Sequence, residues 1–488
     1  MRKRVCIVGH GTAGLLAAVM LKSLFSEYEI TVVYSRAKGI IGVGEGSTEH
    51  WRLHFMDAYK IDANDMVEKC AATHKYGIRF ENWNMAHPDY FHSIGGGIIG
   101  PNYFPGNYAF ALENDWPLTS AMLVHLYDNR VMYDPENLHR VVNQFHFDTF
   151  KLNGYLSQVA MNRGAMFSEG ELADVARNAE NGFVESITTS RGMTIKADFF
   201  IDASGFNRAL MSRILDDDPF VDYGRYLPCD SAAVFPTLPD ESGDIRPYTR
   251  ARAMPNGWMW EIPTQERRGN GYVFSSAFCS DEQAVMEISE THGRPIVPAR
   301  IIRYKSGYFR NGLAFNCAAI GLASSFVEPL EATSIGSTIQ QVRMISAMLP
   351  TFGPGSRHQA DQYQRQFHSI MENILAMISL HYVSDRRDTE MWRHQANAPR
   401  PPILEWMLGL WAERCPEQYD VPQFGYEMFQ AAHFWHVAQG QGVISRSAAS
   451  AQLTDYNYRD TAARQFGEIK ANALRMKLVR HADLFRRP

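Results

Sequence analysis

Gly9-His10-Gly11-Thr12-Ala13-Gly14 sets the reading of everything around it. The spacing is Gly-x-Gly-x-x-Gly, between an apolar run at residues 4–8 and a helical stretch at residues 12–25. Such glycines allow a tight turn and let a pyrophosphate approach the helix N-terminus, where amides and dipole favour an anion. Glu29-Ile30-Thr31-Val32-Val33-Tyr34 follows as a second strand. Strand, helix and strand predict a βαβ unit, and with it a parallel sheet covered by helices. The dinucleotide site is expected at Gly9, Gly11, Thr12, Ala13 and Gly14. An acidic residue usually ends the second strand, to take the ribose hydroxyls. Tyr34-Ser35-Arg36 stands there instead, which leaves Ser35 as the adenosine-side contact.

Further along, Phe183 to Thr188 and Met193 to Ile201 alternate like a hairpin that ends in a buried strand. Asp198 to Gly205 then runs into a small-residue turn, which resembles the turn that flavoprotein monooxygenases place beside their cofactor. This favours FAD over NAD. Residues 312–321 read as another apolar strand, and Ala318 to Ser325 leads again into small residues. Leu322 stands where many flavoproteins carry an aspartate for the ribityl chain. From about residue 335 long helical periods dominate, as over 359–380, broken at Pro401-Pro402 and Gly440-Gln441-Gly442. The expected fold class is α/β. It has a Rossmann-type FAD-binding body with an antiparallel insertion, like flavoprotein monooxygenases, and a mainly helical C-terminal part. The division expected is 1–345 for the body and 346–488 for a helical substrate-side part packed on it.

Composition excludes several classes. The 488 residues are 45% hydrophobic and 21% charged, with a net charge of −5, so neither nucleic acid nor an anionic membrane is an expected partner. The basic tail (Arg475, Lys477, Arg480, Arg486, Arg487) reads as a solvated terminal helix. Six scattered cysteines show no metal-ligand spacing and no disulfide framework, which fits a cytoplasmic location. Met1-Arg2-Lys3-Arg4 before an apolar run imitates a signal peptide, but Gly9, His10, Gly11 and Gly14 interrupt that run. No run approaches the roughly 18 apolar residues of a membrane span. His146, His433 and His436 lack a third ligand at recognisable spacing, so no metal is expected.

Three segments carry a more specific resemblance. Gly257-Trp258-Met259-Trp260-Glu261-Ile262-Pro263 matches a G-W-x-W-x-I-P signature at every fixed position. Thr73 to Trp83 contains Lys75 and ends in Asn82-Trp83. Phe326 to Ile335 contains Glu328-Pro329-Leu330-Glu331-Ala332-Thr333-Ser334, close to E-P-L-E-S-T-G. Together they resemble flavin-dependent halogenases of the tryptophan-halogenase-like family. Weaker echoes lie at Ile41 to Thr48, Asp202 to Phe206, Leu227 to Ala232 and Arg387 to Trp392. The resemblance runs from about residue 5 to about 395. The tyrosine-rich cluster with which dedicated tryptophan halogenases grip the amino acid is not recognisable, so a broader or different aromatic substrate is expected.

The resemblance implies an enzyme that takes FAD as FADH2, with O2 and a halide (chloride, bromide or iodide), to make hypohalous acid. It places the catalytic lysine at Lys75 and the catalytic glutamate at Glu331. It adds Gly44, Glu45 and Ser47 to the cofactor contacts, in the loop that straps over the flavin. Thr333 and Ser334 fall at the halide site, where Ala332 and Ser334 replace the family's serine and glycine. Trp258 and Trp260 form the barrier between flavin and substrate. Family layout puts His92, the Gly95–Gly97 loop and Trp435 beside the substrate. An ammonium at Lys75 can hydrogen-bond the hypohalous acid, whereas a neutral amine can form an N-halo adduct, and the sequence leaves both open. Glu331 stabilises the cationic ring intermediate and removes its proton; a cation such as Lys75 is expected within its reach. No second nucleotide motif is evident, so a separate flavin reductase is the expected source of FADH2. A homo-oligomer is compatible with the sequence. The alternative reading is a flavin-dependent aromatic monooxygenase that hydroxylates, and a third is a flavoprotein without turnover.

Overall fold

The computed structural model describes residues 3–39, 42, 45–93, 105–114, 126–132, 144–475 and 477–485. Gly44 and the Gly95–Gly97 loop lie outside them. Apolar β-branched residues at 5–8 and 30–33 pair in parallel, Arg4–Val8 against Glu29–Tyr34. The crossover between them is the helix Thr12–Leu24, buried along most of its length. This βαβ unit sits inside a six-stranded sheet. Its order is Leu313–Ala314, Cys317–Ala319, Phe199–Asp202, Arg4–Val8, Glu29–Tyr34 and Met166–Glu169. All neighbours are parallel except the first pair. Burial on both faces explains the near-continuous apolar strands.

A seven-stranded sheet forms the second layer, in the order Arg300–Arg303, Ser231–Thr237, Arg268–Phe274, Gly257–Pro263, Thr249–Met254, Ile78–Glu81 and Asp89–His92. It is antiparallel apart from the Thr249–Met254 and Ile78–Glu81 pair. A small sheet of Glu45–Gly46, Gln144–Phe147 and Thr73–Lys75 bridges the two layers. The fold is thus the Rossmann-type α/β body with an antiparallel insertion. Helices follow from Thr333–Met348 and Arg357–His381 onward. One hydrophobic cluster runs from Val5 to Phe466 and takes in both sides of residue 345.

Three local expectations need correction. The hairpin is Val184–Thr189 with Thr194–Lys196; the chain then leaves it, and Phe199–Asp202 joins the main sheet. Residues 312–321 are two short strands, because Phe315 turns into the left-handed region (φ +53°) and reverses the chain. The basic tail is not wholly a solvated helix. Helix Arg459–Arg475 ends, and Leu478–Arg480 pairs with Arg130–Met132. Val479 and Leu484 pack with Tyr76, Phe91, Val131 and Tyr248, and Arg480 pairs with Asp244. The apolar residues between the charges anchor it; Arg486 and Arg487 lie outside the described residues. No described helix is long and apolar enough to cross a membrane.

Candidate active site

A cavity of about 730 Å³ joins the glycine-rich turn to the seven-stranded sheet. Gly9, Gly11, Thr12, Ala13 and Ser35 line it, and so do Lys75, Trp258, Trp260 and Ser334. Glu45 and Leu322 line it as well. The glycines differ in what they do. Gly9 has φ +125°, and a Cβ there would lie 2.2 Å from the Ala203 carbonyl oxygen. A Cβ on Gly14 would lie 2.1 Å from the Gly9 carbonyl oxygen. Both glycines let backbone pack on backbone, and Gly14 does not border the cavity. A Cβ on Gly11 would meet nothing within 4 Å, so it opens on space at the N-terminus of helix Thr12–Leu24, which no side chain caps. That cradle fits a dinucleotide pyrophosphate.

A neighbouring segment brings an acid to the end of the second strand. Glu171 follows strand Met166–Glu169, which pairs beside Glu29–Tyr34, and it also lines the cavity. The Ser35 hydroxyl donates to Glu171 Oε1 at 3.1 Å, and Lys38 Nζ lies 3.1 Å from Glu171 Oε2. Sequence reasoning missed Glu171, since nothing local marks which strand will lie alongside.

Lys75 ends strand Thr73–Lys75 and is 1% exposed. Its Nζ donates to the Ser47 carbonyl oxygen at 2.9 Å. Ser47 itself stands behind the cavity wall, its Oγ accepting from the Phe145 amide at 2.9 Å. Burial pushes the Lys75 ammonium down to about 8, against the opposing pull of the Glu331 carboxylate. The cation expected near Glu331 is therefore present through space, but the bonds to that carboxylate come from elsewhere.

Glu331 closes the short turn Pro329–Glu331 and is followed by Ala332 in the left-handed region (φ +56°), then by helix Thr333–Met348. Leu330 and Ala332 border the cavity, while Glu331 lies behind them, fully buried. Glu331 Oε1 accepts from His92 Nδ1 at 2.9 Å and from His381 Nε2 at 2.7 Å. Burial alone would raise this carboxyl; the two imidazoles outweigh it and hold it well below the ordinary carboxylate range. His92 thus faces Glu331. Trp435 packs against Tyr108, ring centroids 5.2 Å apart, and does not border the cavity. Thr333 and Ser334 start a helix with no side-chain cap, an electropositive end suited to an anion. Ser334 lines the cavity and Thr333 is buried behind it.

Trp258 and Trp260 are two residues apart on one strand, so they share a face. Trp260 lies flat over Gly271 of the next strand, where a Cβ would be 2.0 Å from its ring. Trp258 Nε1 donates to Glu328 Oε2 at 3.1 Å. Glu328 also accepts from the Cys229 amide at 3.1 Å and the Tyr382 hydroxyl at 2.6 Å. Burial pushes its carboxyl up to about 7 despite these donors. Sequence reasoning passed over Glu328 in favour of Glu331. Trp258→Phe removes one donor from this buried carboxyl, and denaturant unfolding is expected to show a loss of about 1–3 kcal/mol. Among the described residues no cluster of His, Cys, Asp or Glu has the geometry to hold a metal.

The pyrophosphate cradle, the two tryptophans and the buried Lys75 line one cavity. The sequence model of the tryptophan halogenase family matches residues 4–455. The 7-chloro-L-tryptophan 6-halogenase of Kutzneria sp. (strain 744) is 30% identical over 508 residues, covering 96% of each chain. The tryptophan 7-halogenase of Lentzea aerocolonigenes is 31% identical over 417 residues, covering 80% of this chain and 78% of that one. A flavin-dependent halogenase from Brevundimonas sp. BAL3 superposes with a TM-score of 0.85 at 30% identity, covering 99% of this chain and 98% of the other. The chain belongs to the tryptophan halogenase family. It is an enzyme, a flavin-dependent halogenase that uses FADH2 and halide on an aromatic substrate.

Proposed function

We propose that this halogenase transfers halogen through Lys75 to a small electron-rich aromatic compound, indole- or phenol-like, with a broader choice than tryptophan alone. The observation that supports the route is one cavity lined both by the glycine turn and by Lys75. Gly9 to Gly14 would hold FADH2, with Ser35 and Glu171 at the adenosine end and Glu45 and Leu322 along the cavity; the bound flavin would activate O2, the oxidant that turns halide into hypohalous acid. The amides of Thr333 and Ser334 hold the halide at the helix N-terminus. Trp258 and Trp260 keep the substrate from the flavin, so that only the small halogen species passes. Lys75 receives it and presents it to the substrate. Glu331 takes the proton released from the ring carbon, at about neutral pH already ionised and therefore ready to accept it. FADH2 comes from a separate flavin reductase, and the six free cysteines support a reducing, cytoplasmic setting.

The test is halogenation with FAD, a flavin reductase and NADH, supplying chloride, bromide or iodide in turn with indole and a panel of phenols and anilides. Mass spectrometry is expected to show halide-dependent products carrying the halogen isotope pattern. Hydroxylated products that form regardless of halide would replace this reading with a hydroxylase.

A further inference from the structure

Glu331 is an acceptor with two oxygens in unequal surroundings. Oε1 takes both available N–H donors, while the buried Oε2 has no partner among the described residues. Leaving a buried carboxylate oxygen unpaired costs free energy that the fold would avoid if the atom had no use. The donors are themselves fixed. An ionised carboxylate can only accept, so the hydrogens sit on His92 Nδ1 and His381 Nε2. Each imidazole then presents its other nitrogen as an acceptor. Tyr90 donates its hydroxyl to His381 Nδ1 at 2.8 Å, and Gln441 Nε2 donates to that hydroxyl oxygen at 3.1 Å. His433 Nδ1 lies 3.2 Å from His92 Nε2, and His433 Nε2 lies 3.5 Å from Glu49 Oε1. Two arms thus converge on one oxygen.

We propose that His92 and His381 are positioning residues that give the two oxygens of Glu331 different tasks, Oε1 as the anchored atom and Oε2 as the atom that receives the substrate's proton. This rests on Glu331 being the base of the halogenation. The proton leaves the halogenated ring carbon as its C–H pair returns to the ring, and a new O–H bond forms at Oε2; no oxidant is involved. The charged and titratable groups around Glu331 are few. Strand Thr73–Lys75 contributes Lys75, strand Asp89–His92 contributes Tyr90 and His92, and helix Arg357–His381 contributes His381. Helix Ala431–Gly440 contributes His433 and His436 one layer further out, with Glu49 beyond them. Burial lowers His92, against the opposing pull of the Glu331 carboxylate.

His381 offers the cleaner test, since its ring also stacks on Phe80 with centroids 4.3 Å apart. His381→Phe keeps that stack and removes the donor. His381→Gln keeps an N–H near the position of Nε2. Isotope-edited infrared titration of the FAD-loaded enzyme, with Glu331→Gln as the reference that identifies the band, reads the Glu331 carboxyl directly. In His381→Phe the protonated-acid band is expected to appear about one pH unit or more above wild type, and in His381→Gln close to wild type. The acid limb of the halogenation pH profile is expected to move in parallel. His92→Asn, which keeps a donor near Nδ1, against His92→Phe gives the same comparison from the other arm if a His381 variant does not fold. A phenylalanine variant that titrates like wild type overturns the positioning role. Full halogenation by Glu331→Gln overturns instead the base reading beneath it, and the infrared result tells the two failures apart.

Discussion

Replacing Lys75 with alanine is expected to abolish halogenated product, by at least about a hundredfold in kcat, while flavin binding stays intact. Lys75 is 1% exposed and lines the same cavity as the glycine turn. It is held by the Ser47 carbonyl, whose chain continues from the strand Glu45–Gly46. Its removal leaves the hypohalous acid no amine to dock on, and the pyrophosphate cradle loses nothing. Flavin fluorescence quenching checks the second half of the expectation and mass spectrometry the first. Product formation that survives in Lys75→Ala would remove the relay. With the ammonium pushed down to about 8, it is mostly protonated below that pH and mostly the free amine above it. Both the hydrogen-bonding form and the nucleophilic form are therefore reachable near neutrality, and the alkaline limb of the pH profile distinguishes them. A fall through pH 8 marks the ammonium as the working form; a rise marks the amine.

Gly9→Ala is expected to be nearly as damaging for a different reason. The methyl would sit 2.2 Å from the Ala203 carbonyl oxygen, and φ +125° is closed to an L side chain. The atoms it meets all belong to the backbone of Ala203 and Ser204, so nothing flexible can give way. The expected result is a stability loss above about 3 kcal/mol, together with loss of tight FAD binding. Gly11→Ala is the control. Its methyl meets no protein atom within 4 Å, so thermal unfolding is expected to change little while FAD affinity falls. Equal melting behaviour for both variants would contradict the division of labour between the two glycines.

The parts of this molecule that could be read from its residues are those whose information is local. The βαβ unit is written in one stretch of 31 residues, Arg4 to Tyr34, with a strand end, three glycines and a helix in order. Lys75, Glu331 and the paired tryptophans stand in short segments whose resemblance to the halogenase family is itself local. What stayed hidden are partnerships across the chain. His381 bonds a carboxylate 50 positions away, and His92 bonds the same atom from 239 positions away. Glu171 stands beside Ser35 at a position that the βαβ rule assigns to its neighbouring strand. The reversal at Phe315 escaped because an apolar run carries no mark of a left-handed residue within it.

The segment after the last strand reaches back to the residue beside Lys75. His481 is buried and its Nδ1 lies 3.0 Å from the Ile245 carbonyl oxygen. The His74 ring lies 6.1 Å from that of His481 and 5.2 Å from that of Phe485. The residue before Lys75 is thus held by residues that leave the ribosome some four hundred positions later. A chain that stops before Leu478 lacks the rings that pack against His74 and the apolar side chains Val479 and Leu484.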